Sequence, residues 1–316
     1  MWADCANVLL GTLLLVFGTD SLANGTAGFV ARRGAQIHPA ALTGAIVAAL
    51  APAIALCVAA LLQGQPDLAL GSLVGGAIAQ IGVLLGLAAL LAPLLARLKM
   101  LTWLNPTLPV AIGLAWALGL DHGYSRLDGG ILVLAFVLAA FLALRSRARG
   151  SDPAGASFGP APVVSGVALL GVRVLLGLVL TGLGAWRLVV GGAGLSATLA
   201  LNPLIVGLFA LGLACALAGL PTALLAARRG RSDYALAQGL IGVLGSLLLV
   251  LGGLALWQPL VAAESLSRIE LPVLLALAIA LYPMTRSDGA LSRREGGLLL
   301  AIYAVLVLGE LWLTAS

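Results

Sequence analysis

Two carboxylates stand inside long apolar runs: Asp20 in VFGTDSLANG and Glu310 in VLVLGELWLTAS. A charged group at membrane depth is costly, so it marks an ion or proton pathway, or a structural contact. Asp20 could titrate a proton or coordinate a cation. It could equally be a structural acid, hydrogen-bonded to nearby hydroxyls and backbone or paired with Arg173 or Arg187. Glu310 falls close to the end of its run, where a long side chain reaches the interface. A second polar set is neutral: Ser72, Gln80, Gln238 and Ser246. These groups could line a path for a small cation or proton, or simply bond helix to helix. No nucleophile–base pair, phosphate loop or metal-ligand spacing accompanies them. Enzyme chemistry is therefore not expected, nor is a cofactor or a bound metal. Cys5, Cys57 and Cys215 have no metal-type spacing and no disulfide framework is expected.

The elements that must position these residues are membrane helices. The chain has 316 residues, is 61% apolar and 9% charged, and has a mean hydropathy of +1.13. Each span needs roughly 20 largely apolar residues. The pattern predicts ten, near 6–29, 40–62, 68–95, 100–120, 128–145, 164–187, 200–226, 234–258, 269–285 and 294–313. On this reading Asp20 and Glu310 are the acids that lie within apolar helices. Thirteen of the Lys and Arg residues fall in the loops after helices 1, 3, 5, 7 and 9, against three (Arg126, Arg187, Arg268) on the other side. Positive loops stay in the cytoplasm, which puts both termini outside. The net charge of +5 is then a topology signal, and no nucleic-acid partner is needed to explain it. The first apolar run has no preceding Lys or Arg, so it reads as a retained helix rather than a cleaved signal.

The two halves repeat. DLALGSLVGGAIAQIGVLLGLAALLAPL from Asp67 aligns with DYALAQGLIGVLGSLLLVLGGLALWQPL from Asp233, an offset of 166. The same offset joins Gly18 to Gly184 and Gly25 to Gly191. SRLDGG from Ser125 aligns with SRREGG from Ser292 at an offset of 167, which predicts helix N-termini at Asp128 and Glu295. The basic, Gly/Pro-rich segment 146–162 reads as a short cytoplasmic linker between residues 1–145 and 163–316. Five helices per repeat force the second to insert upside down. The predicted fold is all-α and polytopic: ten transmembrane helices in two inverted five-helix repeats.

These residues resemble the sodium/calcium exchanger family over nearly the whole chain. GTDSLANG and GAWRLVVG match the family's first element, DLALGS and DYALAQ its third, and LLGLAALLAPL and VLGGLALWQPL that element's end. The resemblance implies a cation antiporter whose site uses one Glu per repeat, within G-T-S-x-P-E. Here those motifs are Ala48–Ala53 and Ala214–Gly219, so the carboxylate positions hold Ala53 and Gly219. The family's Asn positions fall on Ser72, Ala77 and Gln80, and on Gln238, Val243 and Ser246.

Ca²⁺ takes six to eight oxygens, carboxylates among them. Its charge would go unneutralised at this centre. Carbonyls freed by helix breaks at Pro52 and Pro221 suit a monovalent cation better. The expectation is an inner-membrane cation transporter or antiporter with a rebuilt or degenerate site, handling a monovalent cation or a proton. Its candidate pathway residues are Asp20, Ser72, Gln80, Gln238 and Ser246. The alternative is a transport-inactive scaffold that partners another membrane protein.

Overall fold

A computed structural model describes residues 1–32, 37–95, 99–121, 123–148, 166–261, 265–287 and 290–315. Ten long helices run through them: α1 (Trp2–Arg32), α2 (Ile37–Leu62), α3 (Pro66–Leu91), α4 (Lys99–Leu118), α5 (Arg126–Ala148), α6 (Val167–Leu199), α7 (Pro203–Arg228), α8 (Ser232–Trp257), α9 (Leu266–Glu270 continuing as Leu271–Ser287) and α10 (Arg293–Ala315). Eight are long and apolar enough to cross a membrane, and α4 contributes the shorter apolar stretch Leu104–Leu118. The most buried spans are α3 and α8, with α1, α5 and α6 at the periphery.

Three boundaries differ from expectation, the first being that the predicted helix 68–95 ends at Leu91, with Leu94–Leu95 in a strand. The predicted helix 164–187 instead extends to Leu199, through Gly191, Gly192 and Gly194. Tertiary packing outweighs the weak helix propensity of that glycine-rich stretch. At 33 residues it is about 50 Å long, more than a bilayer's hydrocarbon thickness. Helix α5 continues to Ala148, into the segment expected to be linker, and the rest of that linker (149–162) lies outside the described residues.

Helices α1 and α6 pack along glycines spaced seven apart: Gly11, Gly18 and Gly25 against Gly177, Gly184 and Gly191. A Cβ on Gly18 would stand 2.5 Å from the Thr181 nitrogen, and one on Gly184 would stand 2.7 Å from the Leu15 nitrogen. Small residues let backbones approach where lipid supplies no hydrophobic drive.

Two short antiparallel pairs tie the repeats together. Strand β1 (Leu94–Leu95) pairs with β4 (Ala290–Leu291), and β2 (Gly123–Tyr124) with β3 (Leu260–Val261). The repeat offsets carry Leu94–Leu291 onto Leu260–Tyr124, so the two clamps are pseudo-symmetric copies. Each precedes the same capping box. The Ser125 nitrogen and hydroxyl donate to Asp128 Oδ2 at 2.8 and 2.7 Å. Those of Ser292 donate to Glu295 Oε2 at 2.7 and 2.8 Å. This is the helix-terminal role predicted for both acids.

Candidate functional site

The centre is built from α2 and α7, which carry the motifs expected to hold carboxylates, and from α3 and α8, which carry the neutral polar set. Sequence placed helix breaks at Pro52 and Pro221. Both prolines instead sit inside continuous helix. The irregularities are π-helical turns at Gln80–Leu85 in α3 and Gly245–Val250 in α8, with a third at Gly207–Leu211 in α7. The first two are repeat copies and begin at or beside Gln80 and Ser246. A π-turn widens the helix by one residue and so re-aims the side chains at that level. Pro52 still leaves its mark. It has no N–H, so the Ala48 carbonyl four residues back loses its helical donor. That carbonyl oxygen lies 3.2 Å from where a Cβ on Gly219 would stand.

Gln238 occupies the space left at Gly219. Its Nε2 donates to the Gly219 carbonyl at 2.7 Å, and a side chain on Gly219 would collide with that amide. The Thr222 hydroxyl lies 2.8 Å from the Gly219 carbonyl and 3.1 Å from Gln238 Oε1, and can donate to one at a time. Tyr234 hydrogen-bonds Thr222 and lies within electrostatic reach of Asp20. Half-buried Asp20 is hydrogen-bonded by the Asn24 side chain, with Arg173 acting on it electrostatically. Polar groups therefore run from Asp20 through Tyr234 and Thr222 to Gln238. Arg187, the other partner considered for Asp20, instead donates from Nη1 to Asn7 Oδ1 at 3.2 Å.

The remaining polar positions are arranged differently. Gln80 is buried against Gly242, where any Cβ would collide with its Oε1, and that oxygen has no hydrogen-bond partner. Ser246 is buried with its hydroxyl likewise unpartnered. Ser72 turns back to its own helix, donating to the Ala69 carbonyl at 2.9 Å, with Cys57 Sγ 3.9 Å away. Ala53 is buried and apolar, and Leu50 packs over Gly245 at the second π-turn. Of the predicted set, then, Gln238 is joined towards Asp20, while Gln80, Ser72 and Ser246 are not.

Tyr234, Thr222 and Asn24 were missed by sequence reasoning. Thr222 could have been found three residues past Gly219, where a hydroxyl reaches back to that carbonyl. Among the described residues, no group of three or more His, Cys, Asp and Glu side chains could hold a metal.

The family model for sodium/calcium exchanger proteins matches residues 5–145 and 169–312. The chain belongs to the sodium/calcium exchanger family. CaxA of Alkalimonas amylolytica, described as a candidate antiporter, is 27% identical over 94% of this chain and 95% of its own length. The inner membrane protein YrbG of Escherichia coli is 28% identical over 80% of each chain. Among solved structures, the sodium-calcium exchanger NCX_Mj soaked with Na⁺ and Sr²⁺ superposes with a TM-score of 0.69. It is 21% identical and covers 97% of this chain and 98% of its own. That likeness establishes the exchanger fold: ten helices in two inverted repeats. CaxA and NCX_Mj bear transporter names, in keeping with a non-enzymatic membrane protein.

Proposed function

We propose that this exchanger-family protein is a cation antiporter whose centre has been rebuilt from neutral ligands, and that it moves a monovalent cation or a proton rather than Ca²⁺. The observation that carries the reading is the Gln238 amide seated on the Gly219 carbonyl. In place of a carboxylate, the second repeat holds an amide, a hydroxyl and backbone carbonyls. Such a set offers oxygens without net charge, which suits a singly charged ion and leaves a divalent one uncompensated. Asp20 is linked to this set through Tyr234 and Thr222, and we assign it the proton- or cation-binding role. Gln80 of the first repeat and Ser246 of the second supply unpaired oxygens beside it. The excess of Lys and Arg on one face supports an orientation with both termini outside the cytoplasm. The antiporter and exchanger names of CaxA and NCX_Mj favour this reading over an inactive scaffold.

Gradient-driven Na⁺ or proton flux in proteoliposomes tests it. Asp20→Asn and Gln238→Leu should each lower the flux at least tenfold while the protein still inserts and stays monodisperse. Flux unchanged in both variants would reject the pathway.

A further inference from the structure

Cys57 on α2 and Cys215 on α7 take no part in the polar chain from Asp20 to Gln238. Both are free thiols, at 0% and 3% exposed. Helices α2, α3 and α7 pack against one another, and the two thiols meet α3 one turn apart on the same face. Cys57 Sγ lies 3.9 Å from Ser72 Oγ and 3.8 Å from the Ala69 carbonyl oxygen. Cys215 Sγ lies 3.6 Å from where a Cβ on Gly76 would stand. Ser72 and Gly76 are four residues apart in one helix, which sets their side-chain positions about 5–6 Å from each other.

Gly76 also leaves room between α3 and α7. A Cβ there would meet Cys215 Cβ and Sγ at 3.6 Å and the Gly212 carbonyl oxygen at 3.8 Å, which are ordinary contact distances. A methyl-sized gap therefore lies beside the Cys215 sulfur. The repeat shows why it is open. Gly242 is the counterpart of Gly76 at the offset of 166, and there the Gln80 amide fills the space, so that a Cβ would collide with it. The counterpart of Gln80 is Ser246, whose side chain is too short to fill the copy at Gly76 and whose buried hydroxyl has no partner. The counterparts of Cys57 and Cys215 are Ala223 and Ala49, so neither thiol has a copy in the other repeat.

We infer that Cys57 and Cys215 form a binding site for a soft monovalent metal ion, Cu⁺, held between the two sulfurs in the gap beside Gly76. Thiolate sulfur selects soft ions such as Cu⁺, for which two sulfurs suffice. A structural Zn²⁺ takes four ligands, and among the described residues no group of three or more His, Cys, Asp and Glu could supply even three of them. One thiolate balances the single charge and the second sulfur binds as a neutral thiol, so the complex adds no net charge to a buried site. On binding, one S–H bond breaks, its proton leaves to water and an S–Cu bond forms, with copper remaining Cu(I) throughout.

Anaerobic withdrawal of Cu⁺ from its bicinchoninate complex by the purified protein tests this. Cys5→Ala serves as the parent, so that the third thiol does not compete. Binding at equilibrium involves no transport, and the outcome is therefore independent of the transport reading. The parent should take up one Cu⁺ per chain, and X-ray absorption should show two sulfurs on the metal. Cys57→Ser and Cys215→Ser should each weaken uptake by roughly a hundredfold or more. Gly76→Ala keeps both thiols, and its methyl fits at ordinary contact distance. It should weaken uptake as much while the protein stays monodisperse. No uptake by the parent would overturn the proposal. So would two ions per chain, a single sulfur on the metal, or full affinity in Gly76→Ala.

Discussion

At the starts of α5 and α10 the two repeats carry the same capping box. At their centres they part: Gln238 is engaged at both ends of its amide, whereas Gln80 leaves its oxygen unpaired. The clamps β1–β4 and β2–β3 side with the capping boxes, conserving register across the inverted copies. The lesson is about what each region has to do. The periphery must hold two inverted five-helix units together, so both copies keep the same backbone contacts. The centre must hold a ligand, and there the copies differ in every polar position: Ala53 against Gly219, Ser72 against Gln238, Gln80 against Ser246. A centre whose two sides differ cannot grip an ion symmetrically. In this account Gln238 ends a fixed polar chain that starts at Asp20, while the matched pair Gln80 and Ser246 offers free oxygens.

Substitutions can break that contrast. The largest loss is expected at the shared α1–α6 contact. Gly184→Val forces a side chain into the Leu15 backbone and should cost about 3 kcal/mol, read as a lowered melting temperature in detergent. Gln238→Leu removes the partner of the Gly219 carbonyl and of Thr222, and should cost about 2 kcal/mol by the same assay. The capping boxes should respond equally. Ser125→Ala and Ser292→Ala should each cost about 1 kcal/mol, and a clear difference between them would show that the periphery is less symmetric than its geometry. Gln80→Leu should leave stability nearly unchanged, since the amide oxygen it removes has no partner, yet should lower cation or proton flux. Equal destabilisation by Gln80→Leu and Gln238→Leu would erase the proposed difference between the two centres.

Much of the fold was legible because it is written twice. The offset of 166 that links Asp67 to Asp233 also sets the clamp register and the paired π-turns, and the basic loops follow from the helix count. The reach of α6 to Leu199 was not legible, because Gly191, Gly192 and Gly194 look like a helix end until α1 is packed against them. The site was legible only in part. Gln238 and Asp20 stood out as polar residues in apolar runs, but Tyr234 and Thr222, which link them, look like ordinary helix residues in sequence. Proline misled in a specific way. Pro52 and Pro221 suggested breaks, yet both helices stay continuous while neighbouring α3 and α8 absorb the irregularity. Glu270 was passed over because it sits at a helix start, yet the structure buries it.

The most direct test of the central claim is flux through the wild-type protein in proteoliposomes, with Ca²⁺, Na⁺ and proton gradients imposed in turn. The account predicts gradient-driven movement of Na⁺ or protons and none of Ca²⁺. Ca²⁺ flux that persists in Asp20→Asn would contradict it, showing that neutral ligands and backbone carbonyls are enough for a divalent ion.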